Sequence, residues 1–377
     1  MAPTRVGLIG LAPIDVLEPI GGNWGVISHL KPILESPQYD IVAVCNSSVE
    51  SACKSIEFHK LPDTVKAYGN PEDLAKDPSV DLVVVSVNVA KHFILAHPAL
   101  QNGKKVIVEW PLGATLKESE DLAALAASKG LQTAVGLQGR ADPLIVKVKE
   151  ILNKGTIGRV TSSVVMGCTS ALPADIWLDS GLYYLDMHSG GNEFYINFGH
   201  FLDTFIHTLG EFETVQSTLK TQHPIVPIFS MEKQTIVDPA YKKTAPDHML
   251  VQGVLTSGAV AAISFRKAKK PVDDLSIRWL ITGTEGEIEV TVPEGHFQMG
   301  LDGSTLRMRV GKEGEVEDVS VKDDTMSEHV QKAPPRGRNT ARVYEAFGND
   351  QTKYADFESA LKTHKLLDQI ARDAKYI

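Results

Sequence analysis

VGLIGL, residues 6–11, is the stretch on which the fold turns. A short apolar run closed by glycine reads as a buried parallel strand, covered on both faces and therefore without polar alternation. Working outward, a helix-like stretch follows at 24–34 and a second apolar run at 40–45. Residues 81–87, 106–108 and 133–135 continue the series, with the alanine-rich 116–129 as a helix before the last. Strands alternating with helices indicate a doubly wound parallel sheet, whose ligands bind beyond the C-terminal strand ends.

Composition bounds the class. A length of 377 residues suggests two domains, and 43% hydrophobic with 23% charged residues is enough to build full cores. The net charge is −9 with no basic block, which argues against direct nucleic-acid binding, because neutralising phosphates takes a Lys/Arg patch. Lys267, Lys269 and Lys270 form a short cluster that reads as a solvated turn. Cys45, Cys53 and Cys168 lack metal-ligand spacing and are odd in number, which fits free thiols in a reducing compartment. The N-terminus has no signal-peptide pattern, and no 18 consecutive residues are apolar. The expectation is a soluble cytoplasmic protein with no membrane partner.

The turn from Gly7 to Gly10, with Leu11, is the candidate phosphate loop. Glycine lets the backbone approach a pyrophosphate, and the helix around Trp24 and Gly25 offers its unpaired N–H groups. The plainer reading is a tight strand exit. Residues 11–22 form a longer, proline-broken insertion, so the loop is extended or partly replaced. The second strand ends at Asn46-Ser47-Ser48, where an acidic residue would repel a 2′-phosphate. NADP is therefore allowed alongside NAD.

Six stretches in order resemble the glucose–fructose oxidoreductase/inositol dehydrogenase/rhizopine-catabolism family, in its fungal branch of repressor-like proteins. They are 6–11; Trp24-Gly25-Val26 with His29; Val108-Glu109-Trp110; Leu137-Gln138-Gly139-Arg140; 198–203; and Pro246-Asp247-His248 with Gln252-Gly253. The resemblance implies an N-terminal Rossmann domain, placed at 1–136. It implies a C-terminal α/β domain at 137–377, whose open, mostly antiparallel sheet covers the nicotinamide and often makes a homodimer, and whose last helix packs back on the first domain. The residues after Gly136 fit: a helix at 142–154, β-rich runs at 160–166, 249–255, 260–265, 276–282 and 288–292, and a last helix at 357–374.

The resemblance also implies a site with two departures. Family enzymes carry Glu-Lys-Pro, whose lysine binds the substrate hydroxyl; here the run is Glu109-Trp110-Pro111. A second signature supplies an Asp and, four residues on, a His as acid/base; here these positions are Ile196 and His200, with Phe198 where glycine is usual. His200 is the remaining inherited acid/base group, with a plain core histidine as the alternative. Trp110 offers an indole to stack or wall the pocket. Glu109 orients a ribose or caps the turn, and Pro111 fixes it, through a cis bond in many relatives. Val87, Asn88 and His92 follow the third strand where relatives touch the cofactor; for His92 a helix-start role weighs equally. Gln138 and Arg140 follow the last strand, Arg140 binding an anion or making a salt bridge. Asp175-Ile176-Trp177 and Tyr183-Tyr184 occupy the covering segment, packing or, for a tyrosine, replacing the missing acid. Asp247-His248 is rejected as a metal site because adjacent strand residues point apart. Three functions follow: an NAD(P)-dependent oxidoreductase acting on a small sugar- or polyol-like hydroxy or carbonyl compound; a non-catalytic dinucleotide-sensing repressor, in part nuclear, that binds an activator peptide; or a lyase or cyclase reusing the cleft.

Overall fold

The computed structural model describes residues 2–14, 24–169, 174–293, 295–300, 302–321, 326–349 and 353–376. Most of the insertion at 11–22 therefore lies outside the described residues. The chain divides into two compact units, 1–141 with 325–365 and 142–324 with 366–377.

In the first unit, six strands form one wholly parallel sheet: β1 (Thr4–Ile9), β2 (Tyr39–Cys45), β3 (Lys66–Tyr68), β4 (Leu82–Val85), β5 (Lys105–Val108) and β6 (Thr133–Val135). Their order, β3-β2-β1-β4-β5-β6, is that of a doubly wound dinucleotide-binding sheet, with the strand order reversing between β1 and β4. The apolar runs are central because both faces are covered: Val6, Leu8, Leu82, Val83, Val84 and Val85 are fully buried. Side-chain oxygens accept backbone N–H bonds at helix starts, Ser48 for α2 (Val49–Phe58) and Thr115 for the helix Leu116–Ser128. The helix expected at 24–34 opens as a π-helical turn, Gly25–Leu30, and continues as α1 (Lys31–Glu35). The helix Arg338–Gly348 also belongs to this unit: its Val343, Tyr344 and Phe347 join Val6, Leu8 and Leu30 in one buried cluster.

The second unit carries a nine-stranded sheet. In spatial order its strands are Glu317–Asp318, Thr305–Val310, Gly286–Val292, Ile277–Gly283, Val160–Cys168, Val260–Arg266, His248–Leu255, Phe212–Lys220 and Lys375–Tyr376. All neighbours are antiparallel except two pairs, Val160–Cys168 with Val260–Arg266 and Phe212–Lys220 with Lys375–Tyr376. A three-stranded sheet, Thr235–Lys242, Ile225–Ser230 and Trp177–Leu178, stands beside it. Thr235–Lys242 shows no inside–outside alternation, being exposed or half-buried throughout, so the sequence carried no strand signal there. Alternation is clear in Val260–Arg266, where Ala261, Ile263 and Phe265 face the core. The helix Gly199–Leu209 fills that core with Phe201 and Phe205, whose rings lie 5.1–5.8 Å from Phe265 and Trp279. Phe201→Ala should lower the unfolding free energy by about 3–5 kcal/mol, read from the shift in urea midpoint.

Candidate functional site

In the first unit the C-terminal strand ends converge on Gly10, which has a φ of +96°. A Cβ there would fall inside contact distance of the Ser86 carbonyl, and one on Gly25 would sit 3.1 Å from the Gly10 carbonyl. Strand exit, neighbouring strand and helix start thus meet backbone to backbone, an approach only glycine permits. Gly7, by contrast, lies inside β1, where a Cβ would press on Leu74 and Val80, so of the glycine pair only Gly10 stands at the turn. Asn46 is committed to that turn. Its amide accepts from Leu11 N (3.1 Å) and donates to Leu11 O (2.9 Å) and Ser55 Oγ (3.0 Å), while His59 Nε2 holds Ala12 O at 2.7 Å. Ser47 and Ser48 are exposed, and Ser48 caps α2. Trp24 is half-buried ahead of the π-turn.

At the end of β4, Val87 is half-buried and Asn88 is exposed, its side chain capping a short turn at Ala90 N. His92 opens the helix His92–Gln101 and is buried between two carbonyls, Pro111 O at 2.7 Å from Nδ1 and Val87 O at 3.0 Å from Nε2. Burial pushes its pKa down. It joins the β4 exit to the β5 exit. At the latter, Trp110–Pro111 is cis and Trp110 is buried with its ring 6.1 Å from His364. Glu109 is buried, with Oε1 2.7 Å from His29 Nε2; His29 Nδ1 is 2.7 Å from the Tyr344 hydroxyl, and Tyr39 donates to Tyr344 O at 2.7 Å. Gln138 is 1% exposed, and among the described residues neither polar atom of its amide has a partner. Arg140 is half-buried in the same turn.

In the second unit His200 is buried in the first turn of Gly199–Leu209, which a π-turn, Phe194–Phe198, precedes. Ile196 is half-buried in that turn and brings no carboxylate, while Asp203, one turn beyond His200, is buried. Single π-turns recur at functional sites, and each unit has one, leading from Gly25 and to His200. Tyr183 and Tyr184 are half-buried, their rings 5.3 Å apart, with Tyr184 5.6 Å from Trp177. Burial raises both hydroxyl pKa values, Tyr184 far above the ordinary tyrosine range, so neither group titrates near neutral pH. Trp177 donates to Gly181 O, and exposed Asp175 pairs with Lys269 at 2.9 Å.

Lys267 corrects the sequence reading of its cluster as a solvated turn: only Lys269 and Lys270 are exposed, whereas Lys267 is buried and donates to both oxygens of buried Glu193, at 2.7 and 2.8 Å. Lys243, also buried, bridges Glu193 (3.4 Å) to Asp247 (3.2 Å). The signal was available, since the inward alternation 261, 263, 265 reaches 267 next. Glu193 and Lys243 carry no comparable local pattern. His248 is not turned away from its neighbour: its Nδ1 lies 2.8 Å from Asp247 Oδ1. No group of three His, Cys, Asp or Glu able to hold a metal occurs among the described residues, and no helix among them is long and apolar enough to cross a membrane.

This doubly wound unit, followed by a mixed-sheet unit, defines an oxidoreductase-type fold, and the chain belongs to the glucose–fructose oxidoreductase/inositol dehydrogenase/rhizopine-catabolism family. The family model for oxidoreductases with an NAD-binding Rossmann fold matches residues 20–137, and the Gal80p C-terminal domain matches 143–292. The galactose/lactose metabolism regulatory protein GAL80 of Kluyveromyces lactis is 30% identical over 312 residues, 79% of this chain but 65% of that protein, so the match spans slightly under two thirds of the relative's length. The dehydrogenase aclE of Aspergillus oryzae is 29% identical over 378 residues, 98% of this chain and 96% of its own. The solved super-repressor mutant of Gal80p from Saccharomyces cerevisiae shares the fold, with a TM-score of 0.84 at 22% identity over 99% of this chain and 96% of the other.

Burial would raise the Asp247 carboxyl, but His248, Lys243 and the N–H groups of Gln222 and His223 together hold it down at about 2. Against an unfolded value near 3.9, this contributes on the order of 2 kcal/mol, present above about pH 4 and lost as pH falls through about 2. Acid unfolding followed by circular dichroism should flatten over that range in Asp247→Asn, which should also be less stable than the native protein at pH 7.

Proposed function

We propose that the chain binds a nicotinamide dinucleotide, NAD or NADP, at the C-terminal strand ends of its first unit, and uses it as an oxidoreductase on a small sugar- or polyol-like hydroxy or carbonyl compound. The residues fit such a group. Gly10 and Gly25 bring the strand exit and the helix start together at the C-terminal strand ends, and the Gln138 amide, buried with donor and acceptor both unspent among the described residues, suits a ligand offering the complementary pair. Asn46 holds Leu11 and brings no charge against a 2′-phosphate. When bound, the dinucleotide supplies hydride transfer. The chain must supply the proton that accompanies each hydride at the substrate oxygen, and an imidazole with an ordinary pKa near 6.5 suits that task. His200 is assigned this role. Trp110 walls its unit from within and has no proton to exchange. The observation that carries the enzyme reading is the end-to-end match with the dehydrogenase, 98% and 96% of the two chains.

A second reading, a dinucleotide-sensing regulator that captures an activator peptide, is favoured by Trp110 and Ile196 standing where family enzymes carry lysine and aspartate, and by the GAL80 likeness. The two readings separate in one set of measurements. Gln138→Leu should weaken the tryptophan-fluorescence response to NAD(H) and NADP(H) by about tenfold or more while leaving circular dichroism intact. His200→Ala should keep dinucleotide affinity and lose about 100-fold or more of turnover over a panel of polyols, sugars and carbonyl compounds. Absence of turnover in the native protein, together with dinucleotide-dependent capture of an acidic activator peptide, would give the regulator.

We further propose a homodimer through the outer face of the nine-stranded sheet. Val164 and Met166, Val260 and Leu250 are 44–56% exposed on one face of three adjacent strands. Met166→Lys combined with Leu250→Asp should convert the dimer to monomer by sedimentation velocity without changing the melting profile of the monomer.

A further inference from the structure

The buried ions of the second unit carry an imbalance of hydrogen-bonding capacity. A carboxylate offers about four acceptor sites and an ammonium three donors. Glu193 receives Thr169 Oγ1 (2.7 Å) and Lys267 Nζ on Oε1, and Lys267 and Lys243 Nζ on Oε2, so its four sites are filled. Asp247 receives Gln222 N and His248 Nδ1 on Oδ1, both at 2.8 Å, and His223 N (3.1 Å) and Lys243 Nζ (3.2 Å) on Oδ2, so its four are filled too. Each ammonium spends two of its three N–H groups on these carboxylates. Among the described residues the cluster is saturated in acceptors and has donors left over.

One of the two lysines also belongs to a cavity wall. Lys267 lines a cavity of about 410 Å³ with Asp175, His223, Ile225, Pro227, Ala268 and Lys269, within the size range of small-molecule sites, about 300–1,000 Å³. Ile225, Pro227 and Ala268 give it an apolar wall. Asp175 and Lys269 are exposed and pair with each other, so Lys267 is the buried charge of the lining. The backbone of His223 is itself pinned to Asp247, so the cavity wall and the ion cluster form one connected framework. Asp175 is held by Lys269 at an exposed edge of the lining, whereas an acceptor oxygen on an apolar body finds the buried Lys267 beside an apolar wall.

We infer that this cavity binds a small organic carboxylate, its charged end on the third N–H of Lys267 and its hydrocarbon against Ile225 and Pro227. Glu193 acts as the positioning residue: it fixes the ammonium and opposes the loss of charge that burial and the neighbouring Lys243 favour, so that the remaining proton is presented without the entropy of a free lysine chain. The inference goes beyond dinucleotide binding and is independent of it, since every residue named lies in the second unit.

Isothermal titration of the full chain, with and without NADH, should use pyruvate, butyrate and benzoate, each paired with its neutral amide. Saturable binding of at least one carboxylate is expected, with its amide weaker by about tenfold or more. Lys267→Met should weaken the carboxylate by a similar factor. Because that change also disturbs Glu193, Ile225→Trp provides a second variant, filling the cavity without touching the ion cluster; it should lose binding at an unchanged melting temperature. Failure of all three carboxylates to bind the native protein would overturn the proposal, as would equal binding by the native chain and Ile225→Trp.

Discussion

A buried carboxylate organises the first unit. Glu109 follows β5 directly, and burying its charge without a partner would cost several kcal/mol. His29, from the π-turn after β1, meets it at 2.7 Å, and Tyr344 meets the other ring nitrogen at 2.7 Å. Three distant parts of the chain are thereby held together: a strand end, the first helical turn, and a helix more than 200 residues further on. Gly136 completes the arrangement, because a Cβ at that position would collide with the Glu109 carboxylate. The glutamate read as a ribose ligand or a turn cap is thus engaged with His29 inside the unit. Its neighbours Trp110 and Pro111 are fixed as a consequence, with His92 holding the Pro111 carbonyl from the β4 side.

The second unit meets the same cost differently. It buries two carboxylates with two ammoniums and surrounds them with backbone and hydroxyl donors, so that no charge stands alone. Such clusters add little net stability compared with apolar packing, but removing one member is costly because it strands the others. The structural core of the unit lies elsewhere, in the rings of Phe201, Phe205, Phe265 and Trp279. Ions held this rigidly outside the main aromatic core are suited to recognition.

Fold and function separate at two residues. Under the proposed assignment Trp110 and Ile196 stand where the family's catalytic signatures carry polar groups, and both fit their surroundings: Trp110 is buried and Ile196 sits in a continuous helical turn. One fold can host sites with different proton inventories, and a regulator and a dehydrogenase are both similar to this chain.

What the sequence determined by itself was whatever is local. Contiguous apolar runs gave β1, β2, β4, β5 and β6, because strands covered on both faces need no polar residues, and Gly10 was legible because a backbone turned to positive φ at a crowded strand end selects glycine. The alternation at 261, 263 and 265 likewise contained the burial of Lys267, although the neighbouring lysines at 269 and 270 made it read as surface. Strands such as Thr235–Lys242 left no trace because neither of their faces is buried. Only the tertiary structure decided the partners. Glu109 and His29 are 80 residues apart, His29 and Tyr344 315, and Lys267 and Glu193 74. A buried charge declares that it needs a counterpart, but a local pattern has no means of naming one so far away, since the choice is made by which surfaces the folded backbone brings within hydrogen-bonding distance.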